Sequence, residues 1–223
     1  MELLFAHWPL EPGLVAPLLP PGLELDTWDG AAWLGVVPFR MEGVSRRPLP
    51  DLPGVSAFPE LNVRTYVTRG GKPGVWFLSL DATNRLAVWA ARRWFHLPYH
   101  HARIDTRRTT DGVTYLSERD DCQACFAAEY RPTAPPRESE PGTVEHWLTE
   151  RYCLYAPLPS GGLTCTEVHH PPWPLQPAEA EFALNTMAAP HGLSCDGPPT
   201  YLHYAERLDV VVWSPERLKG PSG

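Results

Sequence analysis

Glu60, Asn62, Arg64 and Tyr66 alternate with Leu61, Val63, Thr65 and Val67. On a strand this spacing puts a carboxylate, an amide, a guanidinium and a phenol on one face and aliphatic side chains on the other. That polar set can hydrogen-bond a small molecule, and Arg64 or a second arginine, Arg40, can pair with a carboxylate through two parallel bonds. Further along, Leu97-Pro98-Tyr99-His100-His101 ends a helical stretch. The proline stops the helix, and Tyr99, His100 and His101 bring a phenol and two imidazoles. Histidine titrates near neutral pH, so Glu60 and His100 form a candidate acid/base pair. Asn62, Arg64, Tyr66, Arg40, Tyr99 and His101 are the candidate binding residues.

Other constellations carry less. His100-His101 and His169-His170 are adjacent pairs whose side chains diverge on a strand, and no His-x-His or His-x3-His spacing supports a metal. No metal and no cofactor is expected. Cys122-x-x-Cys125 stands alone, without the second pair that a structural zinc site needs, and Asp120 and Asp121 before it oppose thiolate formation. Gly-x-Ser-x-Gly, P-loop and dinucleotide-binding fingerprints are absent.

These residues need elements to hold them. Turn signals at Pro20-Pro21-Gly22, Asp29-Gly30, Gly70–Gly74 and Asp111-Gly112 separate predicted strands at Ala31–Phe39, Glu60–Val67, Gly74–Leu80, His101–Asp105, Val113–Arg119, Ala124–Tyr130, Gly162–His169 and Leu208–Trp213. Gly70–Gly74 and Thr110–Gly112 sit at hairpin distance. Three helices are expected. The first spans Ala82–Phe95, with Leu86, Trp89, Ala90 and Trp94 at helical spacing. The second starts after Thr143, with a stripe of Val144, Trp147, Leu148, Tyr152 and Tyr155. The third runs from Pro177 to Pro190. A short helix over Pro12–Leu19 is also expected. The 27 prolines exclude a mostly helical protein. About eight strands and few helices predict a mainly β fold, an antiparallel sheet or barrel with packed helices, in a single domain over 1–223 whose last residues, 220–223, fray.

The formal net charge is −7, and basic residues occur at most in pairs, such as Arg46-Arg47, which argues against nucleic acid. No apolar run approaches 18 residues, so no membrane partner is expected. The N-terminus lacks the parts of a signal peptide. Five cysteines in a chain of this length are read as reduced, and the location as cytoplasmic. The expected partner is a small-molecule ligand, and homo-oligomerisation is left open.

Several motifs resemble a known family. Phe5-Ala6-His7-Trp8-Pro9, Leu18–Asp26, Val37-Pro38-Phe39-Arg40, Phe58–Val67, Glu129-Tyr130-Arg131-Pro132, Glu150-Arg151-Tyr152 and His170–Leu175 resemble the uncharacterised YqjF-like family almost end to end. Over about residues 15–103 the chain also resembles acetoacetate decarboxylase. That resemblance implies a cone-like, mostly antiparallel β-barrel with a central pocket, which the polar face of Glu60–Tyr66 would line. It places Glu60 where the decarboxylase has an active-site glutamate, and Ala87–His101 where it has the helix and Pro-Lys-Lys segment of its Schiff-base lysine. Here Pro98 is followed by Tyr99 and His100. The second active-site glutamate falls near Gly35, and the N-terminal arginine has no counterpart. The only lysines are Lys72 and Lys219. Schiff-base chemistry needs a neutral lysine amine, so acetoacetate decarboxylation is not expected. The reading is a decarboxylase-like protein binding a small anionic or carbonyl-bearing molecule. Its rivals are a lyase, isomerase or hydrolase using Glu60 and His100, and a structural protein with a filled core.

Overall fold

The computed structural model describes residues 2–41, 58–121 and 123–218. In order, these form β1 (Leu3–Leu10), α1 (Pro12–Val15) continued by a 3-10 turn (Ala16–Leu18), β2 (Glu24–Leu25), β3 (Ala32–Met41), β4 (Phe58–Arg69), β5 (Lys72–Ala82) and α2 (Arg85–Trp94). There follow β6 (Tyr99–Arg108), β7 (Val113–Arg119), β8 (Cys125–Pro132), α3 (Val144–Thr149), β9 (Cys153–Pro157), β10 (Leu163–His169) and β11 (Gln176–Asn185). A 3-10 turn (Ala189–His191), β12 (Tyr201–Ala205), β13 (Val211–Val212) and β14 (Glu216–Arg217) complete the chain.

Nine strands close a barrel in the order β5-β6-β7-β8-β11-β12-β1-β3-β4, with β4 pairing back to β5. Every contact in the ring is antiparallel except β5–β6. The β4–β5 hairpin turns through Gly70-Gly71, at φ 57° and 78°, the double left-handed conformation that a two-residue turn requires. A bulge in β5 shapes this part of the sheet. Val63 faces Ser79 and Arg64 faces Phe77, so Leu78 is an extra residue in β5. A bulge bends its strand, and here it lies where β5 changes neighbours: Val75 and Trp76 pair with β9, while Leu80–Ala82 pair with β6. β9 and β10 thereby leave the barrel wall as a side sheet.

The barrel interior takes the aliphatic face of β4, not the polar face expected to line a central pocket. Leu61 and Val63 pack in one buried cluster with Leu34 and Val36 of β3, Tyr115 of β7 and Phe126 of β8. The opposite face of β4 looks outward and is still buried, because α3 and the Trp173 segment lie over it: Trp147 packs 4.9 Å from the Tyr66 ring, and Trp173 packs 4.9 Å from Phe5.

The structure corrects three further expectations. The region expected as a helix over Pro177–Pro190 is largely β11, whose burial alternates along Ala178–Ala183. Its Ala, Glu and Leu are good helix formers, but pairing with β8 and β12 overrides that preference. The second helix stops at Thr149 and the chain re-enters the sheet as β9, so Tyr155 packs from a strand. The α2 stripe of Leu86, Trp89 and Trp94 is exposed, and the helix packs instead through Val88 with Ala87 and Ala91. Sequence reading left β1 and β12 unassigned.

Candidate functional site

Tyr66 is the centre of the outward face of β4. Its hydroxyl lies 2.7 Å from His7 Nε2 on β1 and accepts from Arg64 Nη2 at 3.3 Å. The same nitrogen donates to the carbonyl of Leu148 at 3.3 Å. His7, Gly35 and Arg64 form one cross-strand row through β1, β3 and β4. A Cβ at Gly35 would sit 3.2 Å from the His7 ring and 3.3 Å from Arg64 Cγ. The glycine is what lets those two side chains close over β3.

Arg151 enters from the turn after α3. Its Nη1 donates to Asp26 at 2.7 Å and its Nε to the carbonyl of Trp147 at 2.6 Å. The last carbonyls of a helix have no partner within it and carry partial negative charge. Trp147 and Leu148 present such carbonyls to the two arginines. Both guanidiniums stand over the Tyr66 ring, at 5.6 Å for Arg64 and 5.0 Å for Arg151, and Arg151 also lies 4.3 Å from the Trp147 ring.

The two arginines over Tyr66 are partnered differently among the described residues. Asp26 accompanies Arg151, but among the described residues no carboxylate accepts from Arg64. Five buried polar atoms on these elements have no hydrogen-bond partner: Asn62 Oδ1, Arg64 Nε, His7 Nδ1, Arg151 Nη2 and His203 Nδ1. Burial, reinforced by Arg64 and then His203, holds the His7 pKa well below its usual range, so the imidazole is neutral. His203, from β12, is held low mainly by burial, against the Glu145 carboxylate 3.1 Å away.

At the other end of β4, Tyr99 Oη donates to Glu60 Oε2 at 2.8 Å. Glu60 is 2% exposed, and burial raises its pKa to about 8, against the Tyr99 hydrogen bond and with a smaller push from Asp81. Its carboxyl is therefore mostly protonated at neutral pH. His100 does not join it. The β6 register sets His100 opposite Asp81, and Asp81 is opposite Leu61, so His100 shares the inner face while Glu60 looks outward. Burial, then Arg119 and Arg92, lower the His100 pKa to about 4. The residue that the fold pairs with Glu60 is Tyr99.

Asn62 lies between Glu60 and Arg64 on the same face and is buried. Arg40 is exposed at the end of β3, opposite Pro59, away from this row. His101 is held by Asp120 through Nδ1 at 2.7 Å and by the Thr83 carbonyl through Nε2 at 3.1 Å. It lines a shallow, open concavity of about 710 Å³ over β6, β7 and β8 that is separate from the Tyr66 cluster. Lys72 is exposed in the β4–β5 hairpin and bonded to Glu167, a bond that raises its pKa. Lys219 and Cys122 lie outside the described residues.

Sequence reasoning missed His7, Gly35, Asp26, Arg151 and His203. A signal existed for His7 and Arg151, which sit in Phe5-Ala6-His7-Trp8-Pro9 and Glu150-Arg151-Tyr152. Their spacing alone says nothing of a meeting on Tyr66.

Comparison with known proteins matches residues 1–209 to the DUF2071 family, described as an uncharacterized conserved protein. The chain is 46% identical over 213 residues to uncharacterized protein YqjF of Bacillus subtilis (strain 168), covering 95% of this chain and 88% of that protein. Among solved structures it resembles an acetoacetate decarboxylase from Legionella pneumophila, at 15% identity and TM-score 0.66, covering 98% of this chain and 84% of that one. It also resembles the enduracididine biosynthesis enzyme MppR complexed with pyruvate, at 13% identity and TM-score 0.64, covering 98% and 88%. At these identities the solved structures show the fold.

Proposed function

We propose, for a chain that belongs to the DUF2071 family and has the acetoacetate decarboxylase-like barrel, that the outward face of β4 binds a small anionic or carbonyl-bearing molecule. The observation that carries this reading is the set of buried polar atoms without partners around an Arg64 that no carboxylate bonds among the described residues. Buried polar groups are almost always hydrogen-bonded, and several orphans on one face imply a further bonding partner. Arg64 takes the anionic group. Arg151, held by Asp26, lends a second guanidinium, and the neutral His7 fixes the Tyr66 hydroxyl. The pyruvate complex of a structural neighbour suggests small keto acids as first probes.

Schiff-base chemistry is not part of the proposal. The positions after Pro98 are Tyr99 and His100, and Lys72 is an exposed, ion-paired ammonium. A second reading rests on Glu60. A carboxyl that stays protonated to about pH 8 beside a phenol can act as a general acid, which keeps a lyase, isomerase or hydrolase as the enzymatic alternative, with Tyr99 in place of His100.

The test is thermal denaturation of wild type and Arg64→Ala with pyruvate, acetoacetate and acetate. A ligand at a hundred times its Kd stabilises the native state by about 2.7 kcal/mol. One of the three should raise the wild-type midpoint and leave the variant unmoved. Equal shifts in both proteins, or none in either at saturating concentrations, would remove Arg64 from the reading.

A further inference from the structure

We infer that the ligand of the outer face of β4 carries a hydroxyl beside its anionic group, and that this hydroxyl sits between the imidazoles of His7 and His203, accepting from the first and donating to the second. The inference deepens the proposed function and rests on it. It starts from two ring nitrogens. His7 is fully buried and His203 is 4% exposed, and the Nδ1 atom of each has no hydrogen-bond partner among the described residues. In the β1–β12 register His7 faces Tyr201 and Phe5 faces His203. The two histidines are therefore diagonal neighbours on one face, their backbones about 7–8 Å apart. One small polar group can bridge two rings at that spacing.

The partners of the opposite ring nitrogens decide which Nδ1 carries a proton. Tyr66 is fully buried. Its oxygen accepts from Arg64 Nη2, and the acceptor in reach of its own proton, among the described residues, is His7 Nε2 at 2.7 Å. An enclosed phenol proton takes that acceptor rather than stay unpaired. His7 Nε2 is then bare. Burial, then Arg64 and His203, keep the ring neutral, so its single proton is on Nδ1. His203 is the reverse case. Its Nε2 lies 3.1 Å from Glu145. Against burial, the bonds from Arg137 and His203 lower the Glu145 pKa, so this carboxylate is ionised and only accepts. His203 Nε2 donates to it. Burial lowers the His203 pKa, so above neutral pH the Nδ1 of this ring is a bare acceptor.

A buried donor and a buried acceptor thus stand side by side. A carboxylate or keto oxygen only accepts, so it serves His7 and leaves His203 unpaired. An alcohol accepts and donates, and satisfies both. A site that hydrogen-bonds a hydroxyl discriminates against the analogue without one, because its own polar group is then buried unpaired. The anionic group goes to Arg64, whose side chain meets His7 over Gly35. The ligand class is a small hydroxy acid.

Two measurements on the full chain test this. The first needs no ligand. Proton–nitrogen correlation spectra of the imidazole rings above neutral pH read the tautomer of each histidine. His7 should carry its proton on Nδ1 and His203 on Nε2. Both rings protonated at the same nitrogen would overturn the inference. The second is calorimetric titration with acids matched in size and charge, lactate against pyruvate and β-hydroxybutyrate against acetoacetate. In at least one pair the hydroxy acid should bind roughly tenfold or more tighter. His203→Phe should remove that preference and keep the affinity for the oxo acid. Oxo acids bound as tightly as their hydroxy counterparts in both pairs would overturn the inference and leave the binding face standing. So would a preference that survives in His203→Phe. Binding of none of the four acids would remove the binding face itself, and the hydroxyl with it. Both wild-type readouts hold even where the variant fails to fold.

Discussion

The two faces of the barrel wall bury arginine in opposite ways. On the inner face Arg119 meets Asp81 through Nε and Nη2, the shortest contact being 2.7 Å, and both side chains are almost fully enclosed. On the outer face Arg64 has a phenol, a carbonyl and two aromatic rings, but, among the described residues, no carboxylate. The carboxyls differ in the same sense. Burial raises the pKa of both Asp81 and Glu60, but Arg119 opposes it at Asp81, while only the Tyr99 hydroxyl does so at Glu60. The inner pair is complete in itself. On the outer face no carboxylate among the described residues bonds Arg64, and the proposed binding face rests on that contrast.

The sharpest way to break this comparison is to remove one guanidinium from each face. Arg119→Ala strands a buried Asp81, and loss of one member of a buried pair costs about 3–5 kcal/mol. The expected result is a large fall in the denaturation midpoint. Arg64→Ala strands no carboxylate and should cost clearly less in the absence of ligand. Equal losses would mean that the two arginines do the same structural work.

A second, somewhat smaller effect separates Glu60 from Asp81 by pH. The folded-state pKa of Glu60 is raised to about 8 from 4.5. The unfolded chain gives up this proton first, so the stability due to the protonated carboxyl is present below about pH 4.5 and is lost as the pH rises towards 8. The slope is about 1.4 kcal/mol per unit. His100, lowered to about 4, acts in the opposite sense: its contribution is lost as pH falls from 6.5. Between pH 6.5 and 8 the Glu60 effect therefore stands alone of the two. Glu60→Gln should gain on wild type across that interval in urea denaturation. Parallel stability curves for the two proteins there would place Glu60 in a polar environment.

Much of the inner face was legible in sequence, and little of the outer site. β7 appears at Val113–Arg119 as the alternation predicts, and β4 contains the predicted Glu60–Val67, because one aliphatic face meeting a core imposes a period of two. β1 gave no such signal. Leu3–Trp8 is buried on both faces, so its sequence is a continuous apolar run in which His7 looks incidental. Arg151 was hidden for another reason. Tyr152 and Tyr155 continue the helical stripe of Trp147 and Leu148, yet α3 ends at Thr149, and that break is what turns Arg151 onto Asp26 and Tyr66. Polar alternation in β4 set Glu60, Asn62, Arg64 and Tyr66 on one face. It could not say that the face turns away from the barrel interior, since that depends on strands 60 and 140 residues away in sequence, β1 and β12, and on which side the helices cover.

The smallest expected effect is none at all, and it bears on where chemistry can occur. Borohydride reduction in the presence of a β-keto acid fixes a Schiff base as a stable adduct on lysine. The outer face offers arginines, a neutral imidazole, a phenol and a protonated carboxyl around Tyr66 and Glu60, and none of these forms an imine. Of the two lysines, Lys72 is solvent-exposed in a hairpin, and its bond to Glu167 favours the charged, non-nucleophilic ammonium. Intact-mass spectrometry after such treatment should therefore return the unmodified mass. An adduct mapped by peptide digestion to Lys72 or Lys219 would move the reactive centre off both faces of the barrel wall, and the contrast between Arg64 and Arg119 would then need another explanation.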